Sequence, residues 1–331
     1  MKKNVGILMG GYSSEFEISI LSGQTVYNNL DRSLYTPFAI HILKDRWVLV
    51  EDGVEYAIDK NDFSAQMNGE KITFDLLFNA IHGNPGEDGI LQGYLQLLNI
   101  PQTSCDVFES ALTFNKAECN RVLSDFGVRV APSIYLHPGE NVDPALVTKL
   151  LNFPVFVKPS RSGSSFGVSR VENPGDLEEA VKFARTEDQR VVIEQGVIGT
   201  EVGCGVYAKD GKAEILALTE IVPKKSFFDY EAKYQGASEE ITPARVSAEV
   251  ESEIRNITAK VYELLHLKGV VRADYIVEQT SGLPYLIEVN TVPGLSPASI
   301  VPQQVRHAGM SLTDFFTLVL EETRRNSTKG A

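Results

Sequence analysis

Residues 270–294 read VVRADYIVEQTSGLPYLIEVNTVPG. Two apolar runs flank SGLP (281–284), which predicts two strands folded into a hairpin. Residues two apart on a strand share a face. Arg272 and Asp274 therefore point one way on the first strand, and Glu288 and Asn290 one way on the second. Pairing would set Asp274, Glu288 and Asn290 on a single surface, beside a turn at Pro293-Gly294. Two explanations compete. A charge inside an apolar hairpin needs a partner, so Arg272 could simply pair with Asp274 or Glu288. Alternatively, the three side chains are hard oxygen ligands for Mg2+, which is held by a few carboxylates together with substrate phosphates.

The chain has 331 residues, 43% of them hydrophobic, and a net charge of −13. That length favours two or more domains. The charge argues against nucleic acid as a partner, so any positive site must be built locally by a few lysines and arginines. Cys105, Cys119 and Cys204 include no CxxC pair, and an odd count gives no disulfide framework. A reducing, cytoplasmic location is expected. The apolar run in MKKNVGILMGG is too short for a signal peptide, and no stretch approaches a membrane span.

Strand, glycine turn and helix follow one another from VGILM (5–9) through GGYSSEFEIS. PFAIHIL (37–43) and FDLLFNA (74–80) read as further strands, and ILQGYLQLL as a helix. This alternation predicts an α/β fold opening with a mostly parallel sheet. A second unit starts near residue 105. FNKAECNRVLSDFG is a helix with Asn115 as N-cap and Gly127 as its stop. FPVFVKPS (153–160) and VVIEQ (191–195) are strands, with an amphipathic helix from NPGDLEEAVKFARTED between them. A third unit holds strands EVGCGVYA and AEILALTEI. It also holds a long helix whose Val250, Ile254, Ile257, Val261, Leu264 and Leu265 form one face. The hairpin and a final helix, SLTDFFTLVLEETRR, follow. The expected division is 1–104, 105–196 and 197–325, with a frayed tail at 326–331. Residues 223–245 lack a period, and so long a polar loop is usually functional or disordered.

SRSGSSFG (160–167) follows the strand ending in Lys158. Small residues let backbone N–H groups approach phosphate oxygens, and serine hydroxyls add donors. An ordinary hairpin loop would read the same way. Lys116 and Lys158 could be solvated lysines, or together they could neutralise a polyphosphate. Glu15 and His82 follow apolar strands, where open α/β sheets bind ligands. Taken singly, each reads equally well as a loop residue with a local hydrogen bond.

GGYSSEFEIS, HGNPGEDGILQG, KPSRSGSSFGVSRV, FFDYEAKY, RADY and EVNTVPG occur in this order over nearly the whole chain. The set resembles the D-alanine–D-alanine ligases, within the ATP-grasp superfamily. The resemblance implies three domains, with ATP gripped between the second and third. It implies a reaction in which ATP phosphorylates one D-alanine and a second attacks the acyl phosphate, giving a dipeptide for peptidoglycan. ATP is the implied co-substrate, two Mg2+ or Mn2+ ions the implied metals, and a homodimer the family expectation.

By the same resemblance, Lys116, Lys158, Ser164, Ser165 and Lys233 would contact ATP. Glu194, Gln195, Val197 and Glu201 would line its pocket, with Glu201 near the ribose. Asp274, Glu288 and Asn290 would hold metal. Glu15 would take the first ammonium, and His82 would lie close to the first carboxylate. Arg272 and the Gly294 N–H would form an oxyanion site, and Ser299 and Lys233 would hold the second carboxylate. Tyr234 would close the long loop towards Ser164, excluding water from the acyl phosphate. EAKY is the pattern of dipeptide-forming enzymes, against relatives that use D-lactate. Two stretches depart from the family. LSPAS (295–299) lacks the threonine and histidine common there, and Gln195-Gly196 stands where relatives often have a lysine and a bulky residue. The rivals are another ATP-grasp ligase, which need not keep Glu15, His82 or EAKY, and a non-catalytic nucleotide-binding module, which has no use for a metal triad beside an arginine.

Overall fold

A computed structural model describes residues 2–223 and 238–329, so the expectations for Lys233, Tyr234 and EAKY lie outside the described residues. The first unit is built on a seven-stranded sheet in the order β6-β5-β4-β3-β2-β1-β7. Its strands are β1 (Lys3–Gly10), β2 (Tyr35–Ile42), β3 (Trp47–Glu51), β4 (Val54–Asp59), β5 (Ser64–Met67), β6 (Glu70–Ile72) and β7 (Leu76–Asn79). Helix α1 (Phe16–Asn29) follows β1, and α2 (Ile90–Leu97) follows β7. The VGILM run is buried almost throughout, as a central parallel strand covered on both faces should be.

The sheet is open, but parallel only where β1 pairs with β2 and with β7. The other pairings are antiparallel. This corrects the expectation of a mostly parallel sheet. The cause is local: Asp52-Gly53 and Asn68-Gly69 both carry positive φ at both positions, the geometry of two-residue hairpin turns. They fold residues 47–72 into a meander.

The second unit contains α3 (Val107–Phe114), α4 (Lys116–Asp125), β8 (Ser133–Leu136), α5 (Pro144–Leu150), β9 (Val155–Pro159), β10 (Ser169–Val171), α6 (Leu177–Ala184) and β11 (Val191–Gln195). Its sheet order is β10-β9-β11-β8. Asn115 caps α4, its side chain accepting from Glu118 N–H, and Gly127 ends the segment with φ +76°, as expected.

The third unit contains β12 (Gly199–Lys209), β13 (Lys212–Pro223), β14 (Ser238–Ile241), α7 (Ala248–Leu264), β15 (Val270–Glu278), β16 (Pro284–Asn290), α8 (Ile300–His307) and α9 (Leu312–Lys329). The sheet order is β14-β13-β12-β15-β16. Part of the stretch expected as a long loop is therefore strand β14, which pairs with β13. The apolar face of α7 packs on this sheet. Helix α9 continues to Lys329, so residues 326–329 are helical rather than frayed. Its Phe315, Phe316, Val319 and Leu320 share one core with Val5, Ile7, Met9 and Phe78 of the first sheet. That core ties the last helix to the first strand.

Candidate active site

β15 and β16 pair antiparallel, with Arg272 opposite Asn290 and Asp274 opposite Glu288. A bulge follows. Asp274 faces Glu288, but Tyr275 faces Leu286, so Ile287 is the extra residue. An extra residue shifts the alternation of faces. Leu286 and Val289 consequently both enter the core with Ala273 and Tyr275, while Ile287 and Glu288 both line a cavity.

That cavity, of about 380 Å³, is lined on its polar side by Lys116, Lys158, Ser162, Ser165, Glu194 and Glu201, and it is also lined by Val197 and Ile276. A second cavity, of about 260 Å³, adjoins it and shares Gly163, Glu201 and Glu288. Its lining includes Glu15, His82, Glu87, Ser164, Arg272, Asp274, Asn290, Gly294 and Ser299. Lys116, Lys158, Ser165, Glu194, Val197 and Glu201, expected at the nucleotide, line one half of a single trough, and Glu15, His82, Arg272 and Ser299, expected at the substrate, line the other, where Ser164 also stands. Gln195 does not join them; its amide oxygen accepts from Asn152 N–H at 2.9 Å. Gly196 lies so close to the Pro154 carbonyl that a Cβ would stand 2.7 Å from it, which accounts for glycine there.

The charges are arranged in pairs. Lys158 Nζ donates to Glu194 Oε1 at 2.7 Å, and both residues are buried. Lys116 Nζ donates to the Ser162 carbonyl at 2.6 Å and stands 3.1 Å from Glu288 Oε2. Arg272 grips Asp274 through two bonds of 2.7 Å. Ser164 Oγ donates to Glu15 Oε1, joining the serine loop to the first unit. Ser164 and Ser165 both have positive φ, so the loop turns sharply here.

Of the two explanations for the hairpin charges, the ion pair is formed between Arg272 and Asp274. The oxygen-ligand reading still has its donors. Two carboxylates and an amide stand on adjoining strands, and Asn290 Nδ2 donates to Asp274 Oδ2 at 3.0 Å. Among the described residues no three His, Cys, Asp or Glu side chains are grouped to hold a metal. The donor chemistry therefore suits a hard cation shared with phosphate oxygens, and is too sparse for an all-protein cage.

His82 lines the cavity, but both its nitrogens are engaged. Nδ1 meets the Val292 carbonyl at 2.8 Å and Nε2 meets Ser22 Oγ at 2.9 Å. Burial is the main cause that lowers its pKa, which favours the neutral ring, and these two bonds tie it to the Val292 turn and to α1. Sequence reasoning missed Glu87 and Ser22. Both lie inside the quoted motif stretches or next to them, and only their contacts mark them out.

Three sheets enclosing a phosphate-suited trough beside an arginine and a bare glycine turn define an ATP-grasp ligase. Solved structures agree. A D-alanine–D-alanine ligase from Coxiella burnetii matches with TM-score 0.89 and 26% identity, covering 99% of this chain and 96% of that one. The VanG D-Ala:D-Ser ligase from Enterococcus faecalis matches with TM-score 0.85 and 29% identity, covering 99% and 100%. The family descriptions "D-ala D-ala ligase N-terminus" and "D-ala D-ala ligase C-terminus" match residues 4–105 and 122–321. A D-alanine–D-alanine ligase of Flavobacterium johnsoniae is 48% identical over 320 residues, which is 96% of this chain and 98% of the relative. The chain belongs to the D-alanine–D-alanine ligase family.

Proposed function

We propose that this protein joins two D-alanine molecules into D-alanyl-D-alanine, consuming ATP, as a cytoplasmic step towards peptidoglycan. The observation that carries this reading is the meeting of the two cavities at Gly163, Glu201 and Glu288. A nucleotide's phosphates on one side and a small carboxylate on the other would touch there. No helix among the described residues is long and apolar enough to cross a membrane. The proposed division is 1–104, 105–196 and 197–325.

The difficulty of the reaction is that an anionic carboxylate must approach an anionic γ-phosphate. Lys116 and Lys158, with backbone N–H groups of residues 162–165, would bind the phosphates and offset that repulsion. Asp274, Glu288 and Asn290 would hold Mg2+ or Mn2+, which supplies further positive charge when bound. Glu15 would orient the first ammonium. Glu194, Val197 and Glu201 would bound the nucleoside.

The first D-alanine's carboxylate oxygen attacks the γ-phosphorus, and the bond to ADP breaks. The second amine then attacks the acyl carbon, phosphate leaves with the bonding electrons, and the proton lost by the amine nitrogen is taken up by the released phosphate. Negative charge gathers on the former carbonyl oxygen between these events. Arg272 and the Gly294 N–H would stabilise it there, while Ser299 would hold the second carboxylate.

The test supplies ATP, Mg2+ and D-alanine, and measures phosphate and dipeptide. Expected is D-alanine-dependent phosphate release matched by dipeptide, with little from L-alanine. D-serine and D-lactate as second substrates report on the other product classes. No dipeptide at millimolar D-alanine would reject the reading.

A further inference from the structure

The turn that carries Gly294 is held from the first unit at three points. Val292 N–H donates to Glu87 Oε1 at 3.4 Å. The Val292 carbonyl meets Nδ1 of His82 at 2.8 Å. Leu295 N–H donates to Ser22 Oγ at 3.1 Å. The proton positions follow from valence. A carbonyl only accepts, so Nδ1 bears the ring proton. In the neutral ring, which burial favours, Nε2 then accepts, and the Ser22 hydroxyl donates to it at 2.9 Å. The Ser22 oxygen keeps a lone pair for Leu295 N–H.

Glu87 anchors this arrangement. It is buried, and its second oxygen accepts from Gly83 N–H at 3.0 Å. Among the described residues no lysine or arginine forms an ion pair with it, and it accepts hydrogen bonds from two backbone amides. A carboxylate buried without a counter-charge is costly to keep. Holding the 82–87 loop alone would require one of its oxygens. The other reaches Val292, two residues before Gly294.

We propose that Glu87 is a positioning residue for the ligation step: with His82 and Ser22 it clasps the 291–295 turn and fixes the direction of the Gly294 N–H. This rests on the reading of Gly294 as an oxyanion donor. A turn freed on one side would misplace that N–H by a fraction of an ångström to an ångström. It would leave the nucleotide half of the trough intact, because Glu87 does not line that half.

The experiment compares wild type, Glu87→Ala and Glu87→Gln. It measures kcat, KM for ATP, ATP affinity without D-alanine, and affinity for a phosphinate dipeptide that mimics the tetrahedral intermediate. In Glu87→Ala, kcat and phosphinate affinity should fall together, by about 10- to 100-fold, with ATP affinity within about threefold of wild type. Glu87→Gln keeps one acceptor oxygen and should fall between. If Glu87→Ala does not fold, Glu87→Gln alone decides. A folded Glu87→Gln with unchanged kcat and phosphinate affinity overturns the proposal. So does a parallel loss of ATP affinity, which marks a merely structural role. A wild type that makes no dipeptide instead removes the ligase reading itself, so the two failures are distinguishable.

Discussion

Arg272 and Asp274 lie two residues apart on one strand and are locked together by two hydrogen bonds of 2.7 Å. Each is largely shielded from water, with side chains 13% and 6% exposed. The fork of a guanidinium fixes both the position and the direction of its remaining N–H groups. Lysine keeps the charge but not the fork. Arg272→Lys should therefore fold and bind ATP, yet lose about 100-fold or more in kcat. A steady-state assay of phosphate release checks this. Turnover within twofold of wild type would remove Arg272 from the oxyanion site.

The pair Lys158–Glu194 tests fold against function. Both are buried, so Lys158→Ala strands a carboxylate and should destabilise the protein by about 3–5 kcal/mol. Replacing both, as Lys158→Met with Glu194→Leu, removes the stranded charge and should recover most of that stability. Activity should stay lost in both if, as proposed, Lys158 binds the phosphates. Denaturant melts and phosphate release on the same samples separate the two effects. A double variant with restored turnover would show that Lys158 is only structural.

How far the residues could be read alone differs along the chain. The hairpin of β15 and β16, and the shared face of Asp274, Glu288 and Asn290, follow from period-two alternation. The bulge at Ile287 does not, because nothing in YLIEV marks one residue as extra. The 47–72 meander was open to reading through Asp52-Gly53 and Asn68-Gly69, both strong turn signals. Its short, half-exposed strands carry little period of their own. Glu15, Arg272, Gly294 and Ser299 were nameable from motifs, and they do converge on one cavity. His82 was nameable too, but whether its nitrogens face substrate or backbone is a tertiary fact. Ser22 and Glu87 are tied to residues more than 200 positions away, a distance that local pattern does not span.

Gly163 tests the contact between the serine loop and the first unit. A Cβ at that position would stand 2.4 Å from Glu15 Oε2 and 2.6 Å from Oε1. Gly163→Ala should push the loop away from Glu15 and break the bond from Ser164. The expected result is a kcat about 10- to 100-fold lower, with thermal stability within a few degrees of wild type. An alanine variant of normal turnover would mean that this contact is dispensable to the reaction.

Glu87 also predicts a pH dependence of stability. Burial first, and the nearby charge of Glu15 second, raise its pKa to about 7 from 4.5. The backbone N–H groups of Gly83 and Val292, and the charge of Lys116, act the other way. The sign follows from proton counting. Between pH 4.5 and 7 the folded state holds a proton that the unfolded state has released. The stability linked to this group is therefore full below about pH 4.5 and is lost as pH rises through about 7. Glu87→Gln has no proton to lose. Its melting temperature relative to wild type should climb by a few degrees from pH 4.5 to 7.5, corresponding to on the order of 3 kcal/mol at most. Thermal melts of both proteins across that range, in one buffer system at constant ionic strength, measure the difference directly. Curves that stay parallel would show that the Glu87 carboxyl titrates at its ordinary value, and that its two amide donors fully offset its burial.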